Sequence, residues 1–402
     1  MSSSGAPGRP VDGRTPWASA VGLRAIAARL SQVPPRPIRP ADRTSPAACG
    51  ASGGKPASPR FHDLDALRGL LMLLGVVLHA ALVYSTQGEW VVSDTRRSPV
   101  FDAVYAVIHS FRLPTFFLLS GLLCGTGIAA GPGPFLRSRA VRLAVPLVAT
   151  AILVNPVQVV LVSGPGDFRE EFAGGRWVGH LWFLIDLLAY TLLAAGLLAL
   201  RPRALAWQPP AFGGTVVLVV PFVSAGIRWA CDRWLGPGPA LDVGELLYHL
   251  PFFAFGLWYL RNRDRARLRR MAVWAVLVLP VAAIGPLDHL PGVGLYTDAA
   301  ESWAASLLCL YLGQALLDRP WRLTRGLAEA SYTVYLFHQV AVVGLALVLL
   351  PEELPTVVKF LLVVTGGFVG PLAIHVYLVR PTPALRFLFN GHRSRPPAHG
   401  RS

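Results

Sequence analysis

The chain has 402 residues, of which 53% are hydrophobic and 15% charged. A soluble globular domain carries about 25% charge, so a chain this long and this apolar cannot cover its surface with polar groups. A soluble enzyme, a disordered chain and a secreted disulfide scaffold are excluded as the main body. The net charge of +15 comes from 37 Lys and Arg against 22 Asp and Glu. These basic residues sit in short clusters between apolar runs, which reads as membrane topology and not as nucleic-acid binding.

Residues 1–60 are rich in Pro, Ser, Gly, Ala and Arg and form a basic tail of disordered composition. Its stretch "ASAVGLRAIAARLSQV" has the makings of a short amphipathic helix for an anionic membrane surface, or is simply part of the tail. No apolar core of signal-peptide length occurs there. The four cysteines, Cys49, Cys124, Cys231 and Cys309, show no metal-binding spacing and no disulfide framework.

From residue 61 to 380 apolar runs follow one another. Ten spans are expected, at 64–86, 101–128, 139–163, 178–200, 211–230, 243–260, 270–288, 298–317, 329–350 and 356–379. Residues 381–402 are a short basic tail. The fold class is therefore all-α, a polytopic membrane protein with about ten transmembrane helices.

Loop charge supports the count. Arg137, Arg139 and Arg142 lie in the second loop, Arg201 and Arg203 in the fourth. The run "RNRDRARLRR" makes the sixth, and Arg319, Arg322 and Arg325 the eighth. The intervening loops are balanced or acidic. This alternation places both termini in the cytoplasm; the Ala-, Gly-, Pro- and Arg-rich composition suggests a GC-rich bacterial genome, and a bacterial plasma (inner) membrane is the expected location. No internal repeat of the transporter kind is evident.

Ionisable side chains within apolar spans mark cavities or partners. In the first span Arg68 and His79 are eleven residues apart. Eleven steps of a helix return to within about 20° of the starting face and advance about 16 Å. The pair is thus set to line one channel, with Arg68 at its mouth. The alternative for Arg68 is a side chain snorkelling to the interface beside Asp63 or Asp65.

In the second span His109 and Arg112 share a face, and Arg112 needs an anionic ligand or a buried pair with Asp186. Pro114 can kink this helix, and Ser120 and Gly121 suit close helix packing. In the fourth span His180 and Trp182 lie at the outer interface, Trp182 as an aromatic-belt residue, with Asp186 about 9 Å deeper. In the sixth, Glu245 and His249 form an i,i+4 pair. In the ninth, Tyr332, Tyr335 and His338 make one polar stripe. Lys359 and His375 in the tenth are weaker candidates, Lys359 being free to snorkel outward. His79, Arg112, Asp186 and His338 fall at similar depth, so one shared cavity is expected.

Four motifs in order carry a resemblance. "LDALRG" followed by His79 resembles the Arg–ten residues–His signature of the acyltransferase family 3 membrane proteins. "FRLPTFFLLSGLL", "HLWFLIDLL" and "ASYTVYLFHQ" are similar to that family's later motifs. The first two of these three are closest to the family's glucan-modifying branch.

The resemblance implies acyl transfer from a cytoplasmic acyl-CoA to a hydroxyl of a carbohydrate or other cell-envelope acceptor. No tightly bound cofactor is implied, and acyl-CoA is a co-substrate. The lipid bilayer, acyl-CoA and the acceptor are the implied partners, and the oligomeric state is left open. The fused extracytoplasmic hydrolase-like domain of some relatives does not occur in the chain, so action alone or with a separate partner is expected.

Acyl transfer to a hydroxyl needs a base and a cationic group for the oxyanion. His79 suits the base and Arg68 the CoA phosphates. Arg112 suits the oxyanion or a carboxylated acyl group, and His338 a second acid/base or an acyl carrier. His180, Trp182, Tyr335 and Asp186 are candidate substrate contacts. Ser120 as an acyl-serine sits in a packing context. A transporter or flippase would also place His, Arg and Asp in mid-membrane; the ordered motifs favour the enzyme.

Overall fold

The computed structural model describes residues 62–391 apart from residue 89 and segments 128–130, 165–169, 171–175, 201–215, 236–241, 263, 284–291 and 318–321. The expected N-terminal tail, with Cys49, and residues 392–402 lie outside the described residues. Among the described residues the fold is helical, with no strand.

In chain order the helices are α1 (His62–Tyr84), α2 (Pro99–Gly127), α3 (Pro132–Leu153), α4 (Asn155–Ser163), α5 (Trp182–Leu200), α6 (Val216–Trp234), α7 (Val243–Asn262), α8 (Arg265–Ala283), α9 (Val293–Leu316), α10 (Arg322–Leu349), α11 (Thr356–Ile374) and α12 (Pro383–Asn390). A 3-10 turn, Arg176–Leu181, leads into α5, and a π-helical turn, His375–Val379, follows α11.

Each expected span overlaps helix among the described residues, and the protein is a multi-pass membrane protein. Among the described residues six segments are long and apolar enough to cross a bilayer: His62–Tyr84, Pro99–Gly125, Pro132–Ser163, Val178–Leu197, Ala328–Leu349 and Thr356–Val379. The other four expected spans correspond to α6–α9, which carry ionisable residues such as Arg228, Glu245, Arg265 and Asp298. Ten is thus an approximate count.

Three local expectations change. The span expected at 139–163 is two helices broken at Val154, where Pro156 supplies no amide hydrogen for a continuous ladder. Conversely, α2 continues through Pro114. The expected C-terminal tail contains α12, which starts with Pro383 in its first turn, a position where the missing amide costs nothing.

At the centre, α10 packs against α1 and α11, and α1 packs against α2. Val76, Ala80, Val83, Tyr84, Val342 and Val363 belong to one apolar core joining α1, α10 and α11. On its other side α2 packs against α7 and α9, and α3 against α5. Buried hydroxyls cross-link the helices: Thr115 Oγ1 donates to Ser306 Oγ at 3.0 Å, and Trp303 Nε1 to Ser224 Oγ at 2.9 Å. In hydrocarbon each such group must be satisfied inside the bundle.

The α2–α7 crossing rests on two glycines. A Cβ on Gly121 would strike the Phe253 carbonyl oxygen, and one on Gly256 would strike the Leu118 carbonyl oxygen. Both obstacles are backbone and cannot swing aside. This bears out the close packing expected at Ser120–Gly121. Gly256→Val is therefore expected to force the helices apart, destabilising the fold by about 1–3 kcal/mol or more. Thermal unfolding in detergent measures it, and an unshifted midpoint would refute the close crossing.

Lys359 does not snorkel. Its Nζ lies 2.9 Å from Asp94 Oδ2, and both side chains are only 2% exposed. His375 is likewise internal: its Nδ1 lies 2.8 Å from Thr333 Oγ1, which donates to Asn390 Oδ1 at 3.0 Å and so fastens α12 to α10. The expected Glu245–His249 pair forms, with His249 Nδ1 3.7 Å from Glu245 Oε2 and 2.8 Å from the Glu245 carbonyl oxygen. Burial against Phe117, with ring centroids 4.7 Å apart, places His249 inside the bundle.

Candidate active site

A cavity of about 180 Å³ opens between α1, α2, α5 and α10. His79, Arg112, His180, Trp182 and Tyr335 all line it, with His109 and Tyr105 further along α2. Apolar walls come from Met72, Leu78, Phe116 and Phe183. Trp182, expected in an aromatic belt, thus faces inward. The shared cavity expected from four helices exists, with some of its expected members absent.

Three imidazoles cluster here. The His338 ring centroid lies 5.2 Å from that of His79 and 5.3 Å from that of His180. His338 Nδ1 is 2.7 Å from the Tyr335 carbonyl oxygen. A carbonyl only accepts, so Nδ1 carries the proton and Nε2 keeps its lone pair. That Nε2 is buried without a partner, as is His79 Nδ1. Buried polar atoms left open in this way point to a ligand or water site.

Arg112 reaches the cavity because Gly75 makes room for it. A Cβ on Gly75 would lie 2.5 Å from Arg112 Nη1 and 3.9 Å from His338 Nε2. Arg112 Nε is buried without a hydrogen bond. Among the described residues no carboxylate lies within ion-pair distance of it, so the expected alternative of a buried Arg112–Asp186 pair is not realised. A guanidinium that faces an apolar-walled cavity with no acidic partner is costly and calls for an anionic ligand.

His180 is presented by a strained turn. Gly179 has φ 49° and ψ −130°, a conformation that disfavours any residue with a Cβ. The turn is held by Asn155 Nδ2, which donates to the Val178 carbonyl at 3.3 Å, and by the Tyr335 hydroxyl, which donates to the His180 carbonyl at 2.7 Å.

His338 packs against His79 but is not among the lining side chains, and two other expected members lie elsewhere. Asp186 is 2% exposed and buried on α5, but it does not line the cavity. It lies within electrostatic reach of Glu245 and Asp242 instead. Arg68 also stands apart. Its guanidinium lies 3.7 Å from Asp65, with the side chain 34% exposed, and Arg139 and Tyr332 are within electrostatic reach. Arg142 in turn is close to Arg139 and Arg68. Tyr332, Tyr335 and His338 run as a ladder of rings from the Arg68 region toward His79, with successive centroids 6.4 and 6.0 Å apart.

Sequence reasoning missed Gly75, Tyr105 and Trp90. Tyr105 precedes Arg112 by seven residues and stacks on His109 at 5.0 Å, so helical spacing had the signal. Trp90 stacks on His79 with centroids 5.4 Å apart and an interplanar angle of 23°. It belongs to a loop, where no periodicity points to a partner.

The motifs "LDALRG" to His79, "FRLPTFFLLSGLL", "HLWFLIDLL" and "ASYTVYLFHQ" fall on α1, α2, the turn into α5, and α10. Those are the elements that surround the cavity. The family model for the acyltransferase domain of acyltransferase family 3 matches residues 61–379. The chain belongs to acyltransferase family 3. It is a membrane acyltransferase that transfers groups other than aminoacyl groups. Among the relatives of this acyltransferase are the glucans biosynthesis proteins C of Salmonella gallinarum and Salmonella schwarzengrund. Each is 26% identical to it over 369 residues, spanning 83% of this chain and 95% of the relative. No solved structure matches the chain.

Proposed function

We propose that this acyltransferase moves an acyl group, acetyl, succinyl or similar, from cytoplasmic acyl-CoA to a hydroxyl of a carbohydrate or other cell-envelope acceptor. The observation that carries the reading is the cavity itself. His79 and a guanidinium with no acidic partner, Arg112, face one space walled by aromatic and aliphatic side chains. The relatives' names, which speak of glucan biosynthesis, support a carbohydrate acceptor. On this reading the enzyme sits in a bacterial inner membrane with both termini cytoplasmic.

The chemistry follows from those groups. The acceptor oxygen attacks the thioester carbonyl while His79 takes the hydroxyl proton, forming the new C–O bond. Arg112 donates to the oxygen that gains negative charge. Collapse of the tetrahedral species breaks the C–S bond, and CoA leaves as the thiol with the proton that His79 held. His338 does not line the cavity but packs against His79, and with its proton held on Nδ1 by the Tyr335 carbonyl it offers Nε2 as a second acid/base acting through His79. His180, Trp182 and Tyr335 shape the acceptor's path. Asp186 has no part in this scheme, because it does not reach the cavity.

Arg68, Arg139 and Arg142 gather positive charge at the opposite end of α1, a suitable clamp for the phosphates of CoA. The pantetheine arm then follows the Tyr332–Tyr335–His338 ladder toward His79. Arg68→Ala is expected to raise the KM for acyl-CoA on the order of tenfold, the loss of a hydrogen bond to a charged group, with kcat nearly kept. Unchanged donor affinity removes Arg68 from the donor site.

The deciding experiment uses the purified protein in sealed proteoliposomes with labelled acetyl- or succinyl-CoA and a candidate glucan. Release of free CoA thiol together with label in the glucan supports the reading. Movement of the glycan across the membrane without thiol release overturns it in favour of a flippase.

A further inference from the structure

The His79 ring lacks a hydrogen-bonded orienter. In most base assemblies a carboxylate or carbonyl grips one imidazole nitrogen and fixes the ring. Among the described residues none grips His79, and its Nδ1 is buried without a partner. What touches the ring is packing: Trp90 on one contact and His338 on another.

Trp90 belongs to the segment between α1 and α2, and that segment is tightly folded. The Asp94 amide donates to the Val83 carbonyl at 2.8 Å, and the Ser98 amide to the Tyr84 carbonyl at 3.0 Å. The Trp90 amide donates to Ser93 Oγ at 3.2 Å, and Arg97 Nε to the Asp94 carbonyl at 3.1 Å. The segment's anchor is Asp94. One carboxylate oxygen accepts the Arg96 amide at 2.8 Å, and the other meets Lys359 of α11 at 2.9 Å. Lys359 also donates to the Leu350 carbonyl at 3.3 Å. Burial works against the ionised Asp94, but the Arg96 amide and the Lys359 ammonium hold its carboxyl below the usual carboxylate range.

A buried ion pair is often no more stabilising than an apolar pair of the same shape, and its best-attested use is to set a register. Here the register is that of a loop whose tryptophan lies flat on a histidine of the cavity. We propose that the Asp94–Lys359 pair and Trp90 are positioning residues for His79: the pair fixes the loop, and the indole face takes the place of the hydrogen-bonded orienter. The inference rests on the reading of His79 as the base. It gives a function to a lysine in an apolar span that packing alone does not require.

The test uses the full-length protein in nanodiscs and two readouts. One is steady-state acyl transfer from acetyl-CoA. The other is carbethoxylation of His79 by diethyl pyrocarbonate, mapped by mass spectrometry, which reports access to the ring whether or not the enzyme turns over. Trp90→Ala and Lys359→Met are each expected to speed His79 labelling. They should lower kcat on the order of ten- to a hundredfold, the effect of a misplaced catalytic group. The KM for acetyl-CoA should stay within about twofold, since no donor contact is touched. Trp90→Phe, which keeps a ring on the imidazole, should restore most of both.

Where Lys359→Met fails to elute as a monodisperse species, the double variant Asp94→Leu/Lys359→Met replaces it, because it buries no unpaired charge. Wild-type labelling and kcat in both Trp90→Ala and the lysine variant overturn the inference. Failure of the underlying reading looks different: His79→Ala would then retain turnover, while His79 labelling in the other variants still responds to the loop.

Discussion

His79→Ala is expected to abolish acyl transfer while leaving a folded protein. Loss of a general base typically costs about 10²–10⁴-fold in rate, and no other imidazole is placed to take over at once. His338 is 1% exposed, does not line the cavity and packs against His79, so as a second acid/base it serves only through His79, while His180 and His109 line the cavity from different elements. Folding should survive because the His79 ring already borders open space, so its removal enlarges a cavity without undermining close-packed core. Thiol release with acetyl-CoA and glucan measures the rate, and monodisperse elution with an unchanged unfolding midpoint checks the fold. Turnover at the wild-type rate would end the assignment of His79 as base.

Arg112→Gln is expected to lower kcat by about 10²–10³, the usual loss when a single oxyanion donor is removed. Gly75→Ala should fall in the same direction for a steric reason. The new Cβ would meet Arg112 Nη1 at 2.5 Å. That atom is the end of a flexible side chain, so the helix tolerates the methyl group while the guanidinium swings out of the cavity. The double variant tells whether the glycine acts through the arginine. Gly75→Ala/Arg112→Gln should be no slower than Arg112→Gln alone, because interacting sites do not add. A full second loss in the double variant, or wild-type kcat in Gly75→Ala, would refute the proposed role of the glycine.

How much of the site was legible depends on the element. Within one helix the 3.6-residue period is enough to say which residues share a face. That logic correctly grouped His109 with Arg112 and set Tyr332, Tyr335 and His338 in line. It also put Arg68 on the His79 face, but a shared face does not make a shared cavity. The space around His79 is filled from α2 by the Arg112 guanidinium beside Gly75, and Arg68 lies beyond it with Asp65 and Arg139. Asp186 failed for a related reason. Residue number gives depth along α5 but not which way Asp186 faces, and it lies toward Glu245 and Asp242, outside the cavity lining. No local pattern reveals that Lys359 is internal, because its partner, Asp94, is 265 residues away.

From the sequence alone came the helical, membrane-spanning character, the approximate number of spans, the face each polar residue occupies, and the motifs of an acyltransferase family. These depend on composition and on short-range periodicity, which a single helix obeys whatever surrounds it. The tertiary structure alone decided which polar groups meet. The α2–α7 crossing is set by two glycines far apart in the chain, the entry of His180 by one left-handed turn, and the cover over His79 by a loop pinned to a distant helix. Contacts between segments depend on the complementary shapes of surfaces that the chain brings together only on folding, and no local pattern encodes them.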